Sequence, residues 1–199
     1  MTRIDTPQLH GVDIRFFNQI DFITPQLTQF INRTPNLRKR DAHLQFEDSC
    51  VLVGLPPGHR TLMIAVSCTE PDWQLSSIEQ VCSPSLHPLS TVENLYIENR
   101  YRQLVWKDDS IENILWLQLL HPFTAVKDLY LSKNFSPAIA AVLKDLVGGR
   151  ITEVLPSLQN IFVEGLEPSG SLQENFGQFV AARQLSDHPI TISVWRKYY

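Results

Sequence analysis

A chain of 199 residues with 43% hydrophobic and 19% charged content has enough apolar material for one large domain or one continuous repeat array, which excludes intrinsic disorder. Its net charge of −4 and pI near 5.8 exclude a nucleic-acid backbone as the main partner, because phosphate neutralisation needs a basic face. Three cysteines without a C-x-x-C pair, an N-terminus without signal- or transit-peptide character, and no apolar run near the roughly 20 residues that span a bilayer predict a cytoplasmic or nuclear protein.

The first regular feature is TPQLHGVDI (6–14), with apolar residues at φ-x-x-φ-x-φ spacing: Leu9, Val12 and Ile14. Thr24-Pro25 then opens a helix carrying Leu27, Phe30 and Ile31 on one face, with proline at the first helical position. Arg38-Lys39-Arg40 reads as a solvated loop. Over 41–70 the rhythm breaks. Ala42–Phe46, Ser49–Leu55 and Thr61–Cys68 read as three strand segments around Pro56-Pro57-Gly58, a helix-less insertion.

Asp72 opens a second helix with Leu75, Ile78, Val81 and Cys82 inward, and LSTVENLYI (89–97) repeats the strand pattern. Ser110 caps a third helix, predicted to turn Ile111, Ile114, Leu115 and Leu119 inward, before FTAVKDLYL (123–131). Ser136-Pro137 starts a fourth, with Ile139, Leu143 and Leu146 inward and Gly148-Gly149 as its stop. A short helix or turn over Ile151–Leu155 precedes LPSLQNIFV (155–163). Ser171-x-x-Glu174 is a capping box for a fifth helix bearing Leu172, Phe176, Phe179 and Val180. A last strand, Ile190–Trp195, follows, with Trp195, Tyr198 and Tyr199 expected to fold over it.

The unit Ser110–Leu131 is the clearest copy of a helix–turn–strand repeat. Its strand lies 34 residues after the preceding copy (Leu95 to Leu129) and 32 before the next (Leu129 to Ile161), longer than the 20–29 residues usual for a leucine-rich repeat. The predicted fold is therefore one α/β domain over 1–199, a leucine-rich-repeat-like solenoid arc. A curved, mostly parallel sheet would line the concave side and helices the convex side.

DWQLSSIEQVC (72–82), WLQLLHPFTAVKDLYLS (116–132) and ITEVLPSLQNIFVEGLEPSGSLQENFGQFVAARQLSDHPITI (151–192) resemble the carboxy-terminal half of F-box proteins expanded in mushroom-forming fungi. The resemblance implies a degenerate leucine-rich-repeat arc that recognises substrates for a ubiquitin-ligase adaptor. In that family an upstream F-box docks a Skp-type adaptor. This chain starts inside a repeat without such a motif, so that partner is expected only if an F-box precedes it. The family has no catalytic residues to carry over.

In a φ-x-φ strand the middle residue points away from its neighbours. With Leu95/Ile97, Leu129/Leu131 and Ile161/Val163 inward, Tyr96, Tyr130 and Phe162 form an aromatic ladder on the concave face. Asn94, Glu98, Asp128, Ser132, Asn160 and Glu164 flank it. The ladder either binds an unknown protein partner, stabilises the sheet by cross-strand stacking, or lies under another segment. His87-Pro88, His121-Pro122 and His188-Pro189 read as turn punctuation, since equivalent positions in successive repeats form a line and cannot converge on one metal.

No enzyme signature emerges. Asp187-His188 lacks a G-x-S-x-G nucleophile, so a hydrolase built around His188 ranks last. The 165–171 loop lacks phosphate-loop spacing, Cys50, Cys68 and Cys82 sit in apolar patterns, and no cofactor is expected. The function predicted is protein recognition, as the substrate arm of an F-box-type adaptor or as a stand-alone leucine-rich-repeat module, with no nucleic-acid or membrane partner.

Overall fold

The computed structural model describes residues 11–17, 29, 40–55, 61–82, 87–99, 110–146, 148–165 and 171–196. Among them eight strands form one open sheet: β1 (Gly11–Phe17), β2 (Asp41–Glu47), β3 (Cys50–Leu55), β4 (Thr61–Ser67), β5 (Asn94–Asn99), β6 (Asp128–Leu131), β7 (Asn160–Glu164) and β8 (Thr191–Trp195). Their order is β1-β4-β3-β2-β5-β6-β7-β8. All run parallel except β3, which is antiparallel to both neighbours. Among the described residues four helices accompany the sheet: α1 (Pro71–Cys82), α2 (Ser110–Leu120), α3 (Ser136–Lys144) and α4 (Ser171–Leu185).

Strict alternation in the strands decides which face meets the helices. Ala42, Leu44 and Phe46 of β2, Val51, Val53 and Leu55 of β3, and Leu62, Ile64 and Val66 of β4 are all buried, and the residues between them on β2 and β3 are only partly so. The same side carries Leu95/Ile97, Leu129/Leu131 and Ile161/Val163, each 0% exposed, so the strand facings read from the sequence hold. These residues share one continuous core with Leu75, Ile78, Val81 and Cys82 of α1, Ile139 and Leu143 of α3, and Phe176 and Phe179 of α4. Among the described residues no helix is long and apolar enough to cross a membrane.

The helix-less insertion is a three-stranded antiparallel meander, β2-β3-β4, seated between β1 and β5. It separates the first strand from the rest of the array: β1 pairs with β4, and β2 occupies the place beside β5. Gln74 of α1 fastens the meander. Its Nε2 donates to the carbonyls of Glu47 (2.7 Å) and Cys68 (2.9 Å), joining the β2–β3 turn to the start of the helix.

Two expectations need correction. Ile114 of α2 is 57% exposed and Leu115 half-buried, whereas Trp116, Leu119 and Leu120 are fully buried. The inward stripe is i, i+3, i+4 from Trp116, because the indole packs against both Phe46 and Phe135 at ring separations of 5.9 and 5.6 Å. Second, α3 ends at Lys144, before the glycines; Gly148, at φ +60°, instead starts a short 3-10 turn to Arg150. Ile151–Leu155 forms turns, one of the two readings its sequence offers, with Ile151, Val154 and Leu155 buried. The helix expected after Thr24-Pro25, the side chains of Val12, Asp72, His87, Ser110, Ile111 and Ser171, and Leu9, Tyr198 and Tyr199 lie outside the described residues.

Candidate functional site

Each parallel strand after the meander begins in the same way. The Arg40 carbonyl accepts from the amides of Glu93 and Asn94, that of Glu93 from Lys127 and Asp128, and that of Lys127 from Gln159 and Asn160. These bonds fix the register, so Asp41, Asn94, Asp128, Asn160 and Thr191 lie side by side. Alternating carboxylate and amide chemistry then closes a row across the sheet. Asn94 Nδ2 donates to Asp41 Oδ1 at 2.6 Å, Asn160 Nδ2 to Asp128 Oδ1 at 2.7 Å, and Thr191 Oγ1 to Asn160 Oδ1 at 2.6 Å.

Two residues on, the same register aligns His43, Tyr96, Tyr130 and Phe162. Their rings stack at centroid separations of 4.3, 4.3 and 4.5 Å and interplanar angles of 10–11°. In-register parallel strands stand about 4.8 Å apart, so identical positions bring flat side chains to stacking distance. The ladder read from the sequence as Tyr96, Tyr130 and Phe162 is thus four rings long. Trp195 stands across it, 5.5 Å from Tyr130 and edge-on, and 6.2 Å from Tyr96. It covers the middle of the ladder rather than the last strand, because Trp195 sits on the same side of β8 as Ser193, the ladder position beside Phe162.

The third row is less accessible. Glu98 is 5% exposed, accepts from Gln45 Nε2 at 3.1 Å, and lies 3.7 Å from His43 Nδ1. Ser132 is also 5% exposed; its Oγ accepts from the Asn99 amide at 3.2 Å and its carbonyl from Ser136 Oγ at 3.0 Å. Both were expected on the accessible face. They serve instead to pack the ladder's lower edge and the start of α3. Glu164 is half-buried and takes the Lys133 amide at 3.4 Å. The usable surface is therefore Asp41, Asn94, Asp128 and Asn160, the four-ring ladder with Trp195, and Glu164.

Asp41, His43, Thr191 and Trp195 are additions to the sequence reading. A signal for them existed: Asp41-Ala-His43-Leu44, Asn94-Leu-Tyr96-Ile97, Asp128-Leu-Tyr130-Leu131 and Asn160-Ile-Phe162-Val163 share one polar-apolar-aromatic-apolar pattern. Matching on apolar residues alone passes over the first.

Burial, reinforced by the neighbouring Tyr130 and the Asp41 carboxylate, pushes the Tyr96 phenol up to about 12, and burial also raises Tyr130. An unfolded tyrosine ionises near about 10, so the unfolded chain releases this proton first. The stabilisation is complete below about pH 10 and disappears as pH climbs toward 12. Thermal unfolding of the wild type should show a steeper loss of Tm over that interval than Tyr96→Phe. Superimposable profiles would contradict the coupling.

Among the described residues other candidate chemistry does not assemble. Burial raises all three thiols, Cys50 to about 11, which disfavours a reactive thiolate. His121 and His188 are exposed, and no group of three metal-ligating side chains gathers among the described residues. Comparison with protein-family models, curated proteins and solved structures finds no match to the chain.

Proposed function

We propose that this protein is a protein-recognition module whose working surface is the face of β2 and β5–β8 opposite the helical core. The observation that carries the reading is the in-register row of aromatic rings on the side of the sheet opposite the helical core. Aromatic side chains supply large contact area at small entropic cost, and a row held rigid by stacking is preorganised for a partner. A stack that only stabilised the sheet would not need the ordered Asp–Asn row beside it, which offers directional polar contacts at fixed spacing.

The curved solenoid arc with this face concave rests on the repeat spacing and the sequence resemblance, and a place as the substrate arm of an F-box-type ubiquitin-ligase adaptor rests on the resemblance. A stand-alone leucine-rich-repeat module is the alternative, and it shares the same surface.

The test is retention of a cellular protein by the wild type and by Tyr96→Ala, Tyr130→Ala and Phe162→Ala. With far-UV circular dichroism unchanged, each replacement should weaken the interaction by about 2 kcal/mol, the scale of a hot-spot residue. Retention unaffected by all three would remove the face from consideration. Joint capture of a Skp-type adaptor by the gene product that contains this chain, followed by ubiquitylation of the retained protein, would separate the adaptor setting from the stand-alone one.

A further inference from the structure

We infer that the partner of this face is a protein segment bearing lysine or arginine side chains about 10 Å apart. The inference rests on the protein-recognition reading above and adds the chemistry of what is recognised. Over β2 and β5–β8 the strand residues that share the aromatic side are Asp41, His43, Gln45, Glu47, Asn94, Tyr96, Glu98, Asp128, Tyr130, Asn160, Phe162, Glu164, Thr191, Ser193 and Trp195. Four of these besides the buried Glu98 are carboxylates, and none is lysine or arginine. A whole-chain charge of −4 spread at random would not leave one surface this one-sided. The flanking cations Arg40 and Lys127 lie off the face, both on Glu93, at 3.8 and 3.6 Å.

Geometry sharpens the charge argument. Asp41 and Asp128 each commit one oxygen to an asparagine amide, which fixes the orientation of the carboxylate before any partner arrives. They stand two strands apart, about 10 Å, with Asn94 between them. A segment in the polyproline II conformation rises about 3.1 Å per residue and returns to the same side every third residue, so cations three positions apart match the two carboxylates. Burial and Tyr130 do most to raise the Tyr96 phenol, and the Asp41 and Asp128 carboxylates add to the shift, consistent with a negative field over the ladder. A basic segment laid across the strands would meet Asp41 and Asp128 with its cations and the ring edges with its aliphatic stems.

The test is selection of a displayed random-peptide library on the intact 199-residue chain at low salt, with Tyr130→Ala as counter-selection. The expected result is enrichment of sequences with Lys or Arg at i and i+3, each losing about three- to fivefold in affinity on Asp41→Asn or Asp128→Asn. Both replacements keep the oxygen that accepts from asparagine, so folding is not at issue. Enriched peptides without basic bias, yet lost on Tyr130→Ala, would overturn the charge inference and leave the recognition face standing. Enrichment insensitive to Tyr130→Ala, or none at all, would overturn both. If basic peptides were selected only after Arg38→Gln and Lys39→Gln, the chain's own basic run would be the occupant, and a separate partner would be ruled out.

Discussion

Replacing Trp116 by alanine is expected to lower the unfolding free energy by about 4 kcal/mol, the upper range for removing a buried aromatic. The indole is 0% exposed and forms one aromatic cluster with Phe46 of β2 and Phe135 at the start of α3, the latter two 4.7 Å apart. The cluster joins the meander to two repeats, so a cavity there cannot be closed by movement of one side chain. In urea the midpoint should fall with little change in slope, and Trp116→Phe should recover most of the loss. Ile114→Ala is the control. At 57% exposure it should change stability by no more than about 0.5 kcal/mol. A large effect at Ile114 and a small one at Trp116 would mean that α2 is rotated from the orientation described.

The second large effect belongs to Arg183 of α4. The residue is 0% exposed, makes no salt bridge among the described residues, and donates to the carbonyls of Leu155 (2.8 Å), Val154 (3.3 Å) and Pro156 (3.4 Å). Its guanidinium also lies 5.3 Å from the centre of the Phe179 ring. Burial lowers its pKa, so the charge is held against a desolvation cost by three carbonyl dipoles.

Those carbonyls belong to a turn in which Leu155 adopts a left-handed backbone at φ 49°, a conformation costing a non-glycine residue about 1–2 kcal/mol. The turn places the Leu158 and Asn160 segment, and with it the Phe162 end of the ladder. Arg183→Ala should cost about 3 kcal/mol, since three hydrogen bonds from a buried, charged donor are lost together. Arg183→Met keeps volume without donors and should fall between. If Arg183→Met unfolds with the wild type in denaturant, the turn does not depend on the guanidinium.

The sequence was most informative where one period governed several turns or strands. The Leu75/Ile78/Val81/Cys82 stripe of α1 is buried as its spacing requires, and the φ-x-x-φ-x-φ copies set the facing of β5, β6 and β7. Helix α2 was misread because it is apolar nearly all round; spacing then fixes no unique face, and the bulk of Trp116 decides it. The insertion was visible as three helix-less strands, but its seat between β1 and β5 depends on non-local pairing that no local pattern encodes.

At the candidate site, the ladder followed from alternation. Burial of Glu98 and Ser132 did not, because it comes from neighbours remote in sequence: Gln45 and His43 for one, the Asn99 amide and Ser136 for the other. Trp195 was placed on the wrong neighbour for a similar reason. Its ring spans from β8 over β7 to reach Tyr130, a contact set by side-chain length and not by strand order.

The most direct test of the recognition face is an affinity titration of the retained partner against three chains of equal thermal stability: the wild type, Tyr130→Ala, and Ile114→Ser on the opposite, helical side. A loss of about thirtyfold at Tyr130 with none at Ile114 is the predicted result, the scale of one hot-spot side chain. Equal affinities for the wild type and Tyr130→Ala, or a loss confined to Ile114→Ser, would contradict it and move the binding surface to the helices.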